Sequence, residues 1–418
     1  MRVTDARCLA AAVAAARQQT NYPSVFRWDP VGLADGDAGL ALMCSYVDAC
    51  FPSEGWDEAG HRFLSSGAYA AERTGVPVSG LFSGLTGLAF AAVSLSRNGA
   101  RYQRLLTSLD EVLVPWATAQ AEQLASRRVG VAVHEFDVIS GVSGLAAYLL
   151  CRRSQPAAVE ALRGALGALT QLAEQAEGLP RWWTPPGLLG EDMTEEFVHG
   201  NVNCGLAHGI PGPLAVLALA LREEFEVPGQ VVAVRRLAEW LAEHRRDDEW
   251  GVNWPAAVPV TPDGAVASTS TVPPTRTAWC YGSPGVARAL WLAGDALRDA
   301  DLQQLGIEAI QAVARRPAAQ RFIDSPTFCH GQAGLLQVTL RFAQESRLPA
   351  LRDDVDALAD ALVNAYQPER TVGYVSLEPG DNQVDRPGVL DGAAGVAMVL
   401  LAAATDIEPT WDRVFLLS

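Results

Sequence analysis

The sequence contains no apolar run near the roughly 20 residues that a helix needs to cross a bilayer, since the stretch Gly395–Ala404 is far too short. Basic residues are scarce as well: 32 Lys and Arg face 48 Asp and Glu and leave a formal net charge of −16 at pH 7. A chain this acidic lacks the basic surface that holds proteins on nucleic acids or anionic membranes. We therefore expect no nucleic-acid partner and no stable membrane insertion.

Cysteine is also sparse, and the seven cysteines are an odd number spread along 418 residues. The alanine-rich N-terminus carries no convincing cleavage pattern, so residues 8–18 are predicted to form a helix rather than a signal peptide. Without an export signal, free thiols or a metal site are favoured over a disulfide framework. We expect a cytoplasmic protein, and the 49% of hydrophobic residues excludes wholesale disorder.

The most informative feature of the chain is an internal repeat. Seven times a Gly-x-x-Gly phrase opens an apolar stretch, at intervals of 48 to 73 residues. The first glycines of these phrases are Gly36, Gly84, Gly141, Gly209, Gly282, Gly331 and Gly392. One such phrase would carry little meaning in a glycine-rich chain, but seven from end to end indicate a repeated unit of structure.

Each unit is predicted to be a helix pair. The stretch after the glycines, such as Pro213–Leu221, has no polar face, which is typical of a helix inside a core. Between these stretches lie amphipathic segments, for example residues 231–246, where Val234, Leu237 and Leu241 recur at helical spacing. An outer helix, a loop and a glycine phrase that starts a buried inner helix therefore make up one repeat.

The predicted fold class is all-α: an α/α toroid, a double ring of seven helix pairs, in a single domain over residues 1–418. We expect a closed ring because the terminal phrases are as apolar as the middle ones, whereas an open solenoid has polar caps. Long loops before the inner helices, notably 179–203 and 250–277, should emerge on one rim. Short strands are expected in these rim loops, for example at 128–134 and 372–377. Loops on a rigid scaffold often carry function, so the site is expected on that rim.

Two cysteines each lie two residues before the first glycine of a repeat phrase. Cys280 lies in WCYGSPG, and Cys329 lies in CHGQAG, where His330 follows it. The register puts them at the starts of neighbouring inner helices, where two sulfurs and one imidazole can converge on one ion, a donor set that suits Zn²⁺. The alternative is two buried free cysteines and a histidine bonded to a helix end; the residues alone leave both open.

If zinc is present, its three protein ligands leave one coordination position open, which is the pattern of a catalytic site. Two thiolates also cancel the charge of the ion. An incoming third thiolate would then keep much of its nucleophilicity, so this donor set favours thiol activation over hydrolysis.

Four further residues are candidates for the chemistry. His208 directly precedes the fourth glycine phrase and is the best acid or base by position; the alternative is a core histidine bonded to a carbonyl. Asp137 is either a helix N-cap or a carboxylate aimed into the site, and taken alone the cap is favoured. Arg276 and Tyr281 flank Cys280, and each is either an ordinary rim residue or a group that polarises a substrate carbonyl.

Three phrases in order, NxGLAHGxxG, WCYGxPG and CHGxAG, resemble motifs of the lanthionine synthetase C-like family, the lanthipeptide cyclases. The resemblance extends from about Gly36 to Gly395, and its specificity lies in the joint occurrence of the phrases. It implies an α/α toroid of seven helix pairs with a zinc ion at its mouth. It also implies a reaction in which a cysteine thiol of a dehydrated precursor peptide, leader plus core, adds to dehydroalanine or dehydrobutyrine and closes a (methyl)lanthionine thioether ring.

When the residue roles of the family are carried over position by position, the resemblance implies zinc ligands, an acid or base, and accessory residues. The accessory residues would orient the acid or base or stabilise an enolate. The matching zinc ligands are Cys280, Cys329 and His330, and the matching acid or base is His208. The matching accessory residues are Arg276, Tyr281 and, in a weaker motif, Asp137. The chain shows no kinase-like or lyase-like extension, so a separate dehydratase is expected as a partner.

Three other functions compete with this interpretation. Some relatives with this fold add glutathione to dehydrated residues in proteins, and the motifs do not exclude that activity. Zinc protein prenyltransferases also have an α/α toroid, but their Asp, Cys and His ligands differ from the Cys, Cys and His set here. A non-catalytic peptide-binding scaffold with structural zinc would require four protein ligands.

Overall fold

The computed structural model describes residues 6–19, 28–74, 80–176, 178–273, 275–378 and 382–418. Helices of two sets alternate along it. Each inner helix begins one or two residues after the first glycine of a phrase: α2 (Asp37–Cys50), α4 (Leu85–Leu95), α7 (Val142–Cys151), α10 (Pro211–Arg222), α12 (Ser283–Leu297), α14 (Gln332–Ser346) and α16 (Ala393–Ala404). Each is preceded by an outer helix: α1 (Ala6–Gln19), α3 (Trp56–Thr74), α5 (Gln103–Ser126), α8 (Pro156–Leu172), α11 (Gln230–Glu243), α13 (Ala300–Arg315) and α15 (Pro349–Asn364).

The two sets differ in burial as their sequences predict. The inner helix α10 is buried from Pro211 to Ala220. The outer helix α11 buries Val234, Leu237 and Leu241 and leaves Arg235 exposed. Burying a leucine side chain contributes about 1.5–3 kcal/mol, so most of the stabilisation comes from the inner helices and the facing stripe of the outer ones.

One compact unit comprises the described residues up to Leu113 together with Ile323–Asp412. Within it, the last inner helix α16 packs against α14 on one side and against the first inner helix α2 on the other. The backbone N–H of Val389, just before α16, donates to the carbonyl of Ala34, just before α2, at 2.8 Å. The last repeat therefore contacts the first, as a closed arrangement of repeats requires.

The other compact unit comprises Val114–Phe322 and Arg413–Ser418. Within it, α10 packs against α7 and α12. We call the three residues before each inner glycine phrase, with the phrase's first glycine, a glycine turn. Val138 N–H donates to the Ala207 carbonyl at 3.1 Å, and Ala207 N–H donates to the Cys280 carbonyl at 3.3 Å. Three successive glycine turns are thus joined side by side, and their side chains share one end of these helices.

Short strands form three antiparallel ribbons in the described loops. They are β1 (Gln175–Ala176) with β2 (Leu179–Pro180), β3 (Asn201–Asn203) with β4 (Ala257–Pro259), and β5 (Ser376–Glu378) with β6 (Asn382–Val384). The ribbon of β3 and β4 joins the two long loops 179–203 and 250–277, with Val202 opposite Val258. Short strands in the long rim loops are confirmed. Of the strand predicted at 372–377, only Ser376 and Leu377 are in a strand, because β5 begins at Ser376.

The strand predicted at 128–134 is absent. This segment is irregular up to a short helix, α6 (Val133–Phe136). Glu135 accepts a hydrogen bond from the backbone N–H of Ala132 at 3.0 Å and forms an ion pair with Arg127 at 2.6 Å. These contacts favour a helical turn over the extended chain that the alternating valines predicted.

The loops also contain the short helix α9 (Glu191–Thr194) and four 3₁₀ segments, Pro186–Leu188, Thr269–Thr271, Ala318–Gln320 and Thr410–Phe415. No helix in the described part of the chain has both the length and the hydropathy to span a membrane.

Candidate active site

Cys280 lies in the glycine turn before α12 and is 5% exposed. The preceding residue, Trp279, is fully buried, and its indole N–H donates to the Phe415 carbonyl at 2.9 Å. Gly282 closes the turn with φ +94°, and a Cβ there would lie 1.9 Å from the carbonyl oxygen of Arg276. Only glycine fits this position, so the turn holds the Cys280 side chain in a fixed direction.

Cys329 and His330 lie in the glycine turn before α14. The backbone N–H groups of Phe328 and Cys329 donate to the Leu390 carbonyl at 3.2 and 2.9 Å. The Nδ1 atom of His330 lies 3.5 Å from a carboxylate oxygen of Asp391. Both cysteines thus lie just before the N-termini of long helices, at the positive end of the helix dipole.

Cys280, Cys329 and His330 each offer one ligand atom, and these three atoms lie within 4.8 Å of one another. Ligand atoms around a tetrahedral zinc ion are about 3.5–3.8 Å apart, so small side-chain rotations would bring the three into range. Two sulfurs with an imidazole suit zinc and exclude the hard cations Mg²⁺ and Ca²⁺. The group is a possible Cys-Cys-His metal site, and its residues fit a zinc ion.

His208 and Asp137 form a hydrogen-bonded pair. The Nδ1 atom of His208 lies 2.7 Å from Asp137 Oδ2, and the histidine side chain is 37% exposed while the aspartate is 2% exposed. The other oxygen, Oδ1, accepts from the backbone N–H groups of Ser140 and Gly141 at 2.7 and 2.8 Å. Asp137 therefore bonds to the turn before α7 with one oxygen and to His208 with the other. It is not the N-cap of α7, because that position is Gly141.

This pairing decides the roles of the two ring nitrogens. A carboxylate that already accepts two backbone N–H bonds can only accept from the imidazole. We therefore assign the proton of neutral His208 to Nδ1, which leaves Nε2 as the basic nitrogen on the exposed side of the ring.

Tyr281 lies beside this pair, with its ring centre 6.2 Å from that of His208. Its hydroxyl accepts a hydrogen bond from the side-chain amide of Asn203 at 3.1 Å. Arg276 is exposed, and among the described residues no hydrogen bond or ion pair joins its side chain to the other predicted site residues. Three of the four candidates, His208, Asp137 and Tyr281, are therefore brought together.

Sequence reasoning missed two residues near this chemistry, Asn203 and Asp391. Asp391 directly precedes its first glycine, the position that His208, Tyr281 and His330 occupy in their own turns. The shared register could have identified it. Asn203 contacts Tyr281 across 78 positions of sequence, and its place in the NxG phrase was the only signal.

The remaining candidate thiol near the site is unsuited to metal binding. Cys204 is fully buried, and burial raises the pKa of its thiol to about 12. It therefore stays protonated at neutral pH and has the chemistry of a small apolar side chain. His61, His134 and His244 lie outside the repeat register and are therefore predicted to be surface residues. His61 and His134 are exposed, as is His199, but His244 is half-buried and stacks on Trp240 with ring centres 3.9 Å apart.

Residues 27–416 match the family described as lanthionine synthetase C-like protein. The chain belongs to this family. Its similarity to the nisin biosynthesis protein NisC of Lactococcus lactis subsp. lactis amounts to 21% identity over 401 residues, covering 94% of this chain and 90% of that protein. This lanthionine synthetase C-like protein therefore matches its relative over nearly the whole of both sequences.

Solved structures establish the fold of this lanthionine synthetase C-like protein. A structure of nisin cyclase matches with a TM-score of 0.80 at 20% identity, over 98% of this chain and 97% of that one. The fold is an α/α toroid, which confirms the class predicted from the repeat. An α-1,6-mannanase of Salegentibacter sp. HEL1_6 matches at a TM-score of 0.44 and 10% identity, over 96% of this chain and 97% of that one, which is too distant to inform function.

Proposed function

We propose that this protein is a zinc-dependent lanthionine-forming cyclase. It adds cysteine thiols of a dehydrated precursor peptide, leader plus core, to dehydroalanine or dehydrobutyrine and closes thioether rings. It acts in the cytoplasm, as one toroid domain, on alkenes that a separate dehydratase supplies. The observation that carries the proposal is the group of two thiols and one imidazole within 4.8 Å, in a chain of this family.

The metal-binding residues proposed are Cys280, Cys329 and His330. Three protein ligands leave the fourth coordination position of zinc open for a substrate. In a structural site, a fourth protein ligand would occupy that position. When bound there, zinc would hold the peptide thiol as a thiolate at neutral pH, and the two protein thiolates would preserve its nucleophilicity.

The proton transfers are assigned to His208. Its Nε2 atom takes the proton that the thiol loses on becoming a thiolate. The sulfur then bonds to the β-carbon, and the alkene electron pair moves onto the carbonyl oxygen as an enolate. The same nitrogen then returns a proton to the α-carbon, so the addition balances without another reactant. Asp137 keeps Nδ1 protonated throughout and stabilises the imidazolium form in between.

The enolate oxygen needs a hydrogen-bond donor or a positive charge. Tyr281 is proposed for the first role because its ring lies beside the His208 ring, with the ring centres 6.2 Å apart. Arg276 is proposed for the second, since its exposed guanidinium can fold onto a bound peptide, whereas a buried and paired arginine could not.

A synthetic peptide with one dehydroalanine and one cysteine tests the proposal. Ring closure leaves the mass unchanged but removes the free thiol, so alkylation followed by mass spectrometry measures it. We expect thiol loss well above the enzyme-free rate, with inhibition by a chelator and recovery with Zn²⁺. If glutathione adds while the ring stays open, the protein is a glutathione transferase; if neither reaction occurs and zinc has four protein ligands, it is a binding scaffold.

The neighbour of His330 yields a further expected outcome. A carboxylate oxygen of Asp391 lies 3.5 Å from Nδ1 of His330. A carboxylate beside Nδ1 leaves Nε2 to bind the metal and makes the imidazole a stronger ligand. We expect Asp391→Asn to weaken zinc binding about 10- to 100-fold, measured by competition with a chromophoric chelator. Glu408→Gln is the control, because Glu408 pairs with Arg341 in the same compact unit; equal affinity in the two variants would contradict the role of Asp391.

A further inference from the structure

Asn203 ends β3, and its position is held from several sides. It is 5% exposed. Its carbonyl accepts from the backbone N–H of Ile210 at 3.2 Å, and its side-chain Oδ1 accepts from the backbone N–H of Gly205 at 2.9 Å. The side chain therefore has one orientation at the edge of the His208 turn.

The bond to Gly205 also decides which end of the amide faces Tyr281. A backbone N–H can only donate, so the atom opposite Gly205 has to be the amide oxygen. The NH₂ group then faces the hydroxyl of Tyr281, 3.1 Å away, and donates to its oxygen. Because the oxygen accepts in this bond, the hydroxyl hydrogen of Tyr281 points away from Asn203.

Gly205 makes this arrangement possible. A Cβ at that position would lie 2.6 Å from the Tyr281 ring and 2.5 Å from the carbonyl oxygen of Cys280. The phenol ring therefore packs directly on the backbone of residue 205, and Asn203 meets its hydroxyl at the end of that contact.

We infer that Asn203 is a positioning residue that compels Tyr281 to act as a hydrogen-bond donor. With one lone pair of the phenol oxygen occupied by the amide, the hydrogen is directed away from Asn203 toward another acceptor. Under the proposed function, on which this inference rests, that acceptor is the carbonyl oxygen of the dehydroamino acid as it becomes an enolate. The phenol is polarised by the amide, which strengthens its donation.

Two substitutions at Asn203 separate this role from a structural one. Asn203→Ala removes the amide but leaves the phenol hydrogen available, so we expect kcat to fall about tenfold. Asn203→Asp is nearly isosteric and still accepts from Gly205, yet its carboxylate takes the phenol hydrogen for itself. We expect kcat to fall about 100-fold, as for loss of the donor, with KM little changed.

If Asn203 were merely structural, Asn203→Asp would retain more activity than Asn203→Ala, because aspartate preserves the loop contacts better than alanine does. The control is a Tyr281→Phe background, where no phenol hydrogen exists and the two variants should agree within about twofold. Activity of the aspartate variant equal to or above that of the alanine variant would overturn the inference.

A readout independent of activity keeps this test separate from that of the cyclase function. The phenol C–O stretch differs between a hydroxyl that accepts and one that donates. Isotope-edited infrared spectra with ring-labelled tyrosine, subtracted against Tyr281→Phe, isolate this band. We expect it to shift toward the donating form in Asn203→Asp; an unshifted band would refute the contact even if cyclisation fails in every variant.

Discussion

Replacing Cys280 with alanine should remove the metal and reduce ring formation to the rate of uncatalysed thiol addition. Structural zinc sites with four ligands bind with roughly 10–16 kcal/mol, so the loss of one comparable ligand weakens affinity about 10²- to 10³-fold. The two remaining groups, Cys329 and His330, cannot hold zinc against a moderate chelator. Metal analysis after dialysis and the free-thiol assay measure the two effects.

The fold should survive this substitution. The side chain is small, and the turn around it is held by backbone contacts, by Trp279 and by the left-handed glycine at position 282. Helicity by circular dichroism should therefore stay near that of the wild type. Cys151→Ala is the matched control, since this half-buried cysteine ends α7 and its thiol bonds locally, to the Ala147 carbonyl. One equivalent of tightly held zinc in Cys280→Ala would disprove the ligand assignment.

The helices could be predicted from the sequence because they depend on local signals. A glycine phrase followed by an apolar run marks each inner helix, and the seven inner helices begin within two residues of the first glycine. The segment 128–134 shows the limit of such reasoning. Its alternating valines predict a strand, but the ion pair of Glu135 with Arg127 favours a helical turn, and no local pattern reveals which contact forms.

The site residues also fall into two groups, those that local sequence signals identify and those that depend on contacts between distant parts of the sequence. The repeat register identified His208, Tyr281 and His330, because residues at one position of each turn meet at one end of packed helices. It could not decide between a cap and a site carboxylate for Asp137, because the answer depends on a contact 71 positions away. Asn203 was missed for a related reason: an asparagine in a loop acquires a role only when a second chain segment places a hydroxyl against it.

The second large effect is expected at His208. His208→Ala should retain zinc and lower kcat about 10²- to 10³-fold, because the proposed proton transfers from the thiol and to the α-carbon both use its Nε2 atom. His61→Ala serves as the control, since this exposed imidazole contacts only Tyr102, through its hydroxyl and its ring, among the contacts described for it. Full metal content with lost activity separates proton transfer from metal binding.

Asp137→Asn tests the same proton transfer by changing which ring nitrogen of His208 carries the proton. Its remaining oxygen still accepts from Ser140 and Gly141, so its NH₂ group has to face Nδ1 of His208. The imidazole must then accept there and carry its proton on Nε2, where a base is needed. We expect a loss close to that of His208→Ala and a double variant no slower than the worse single one, because both changes remove one base. Independent, multiplicative losses would show that Asp137 acts on the reaction by another route.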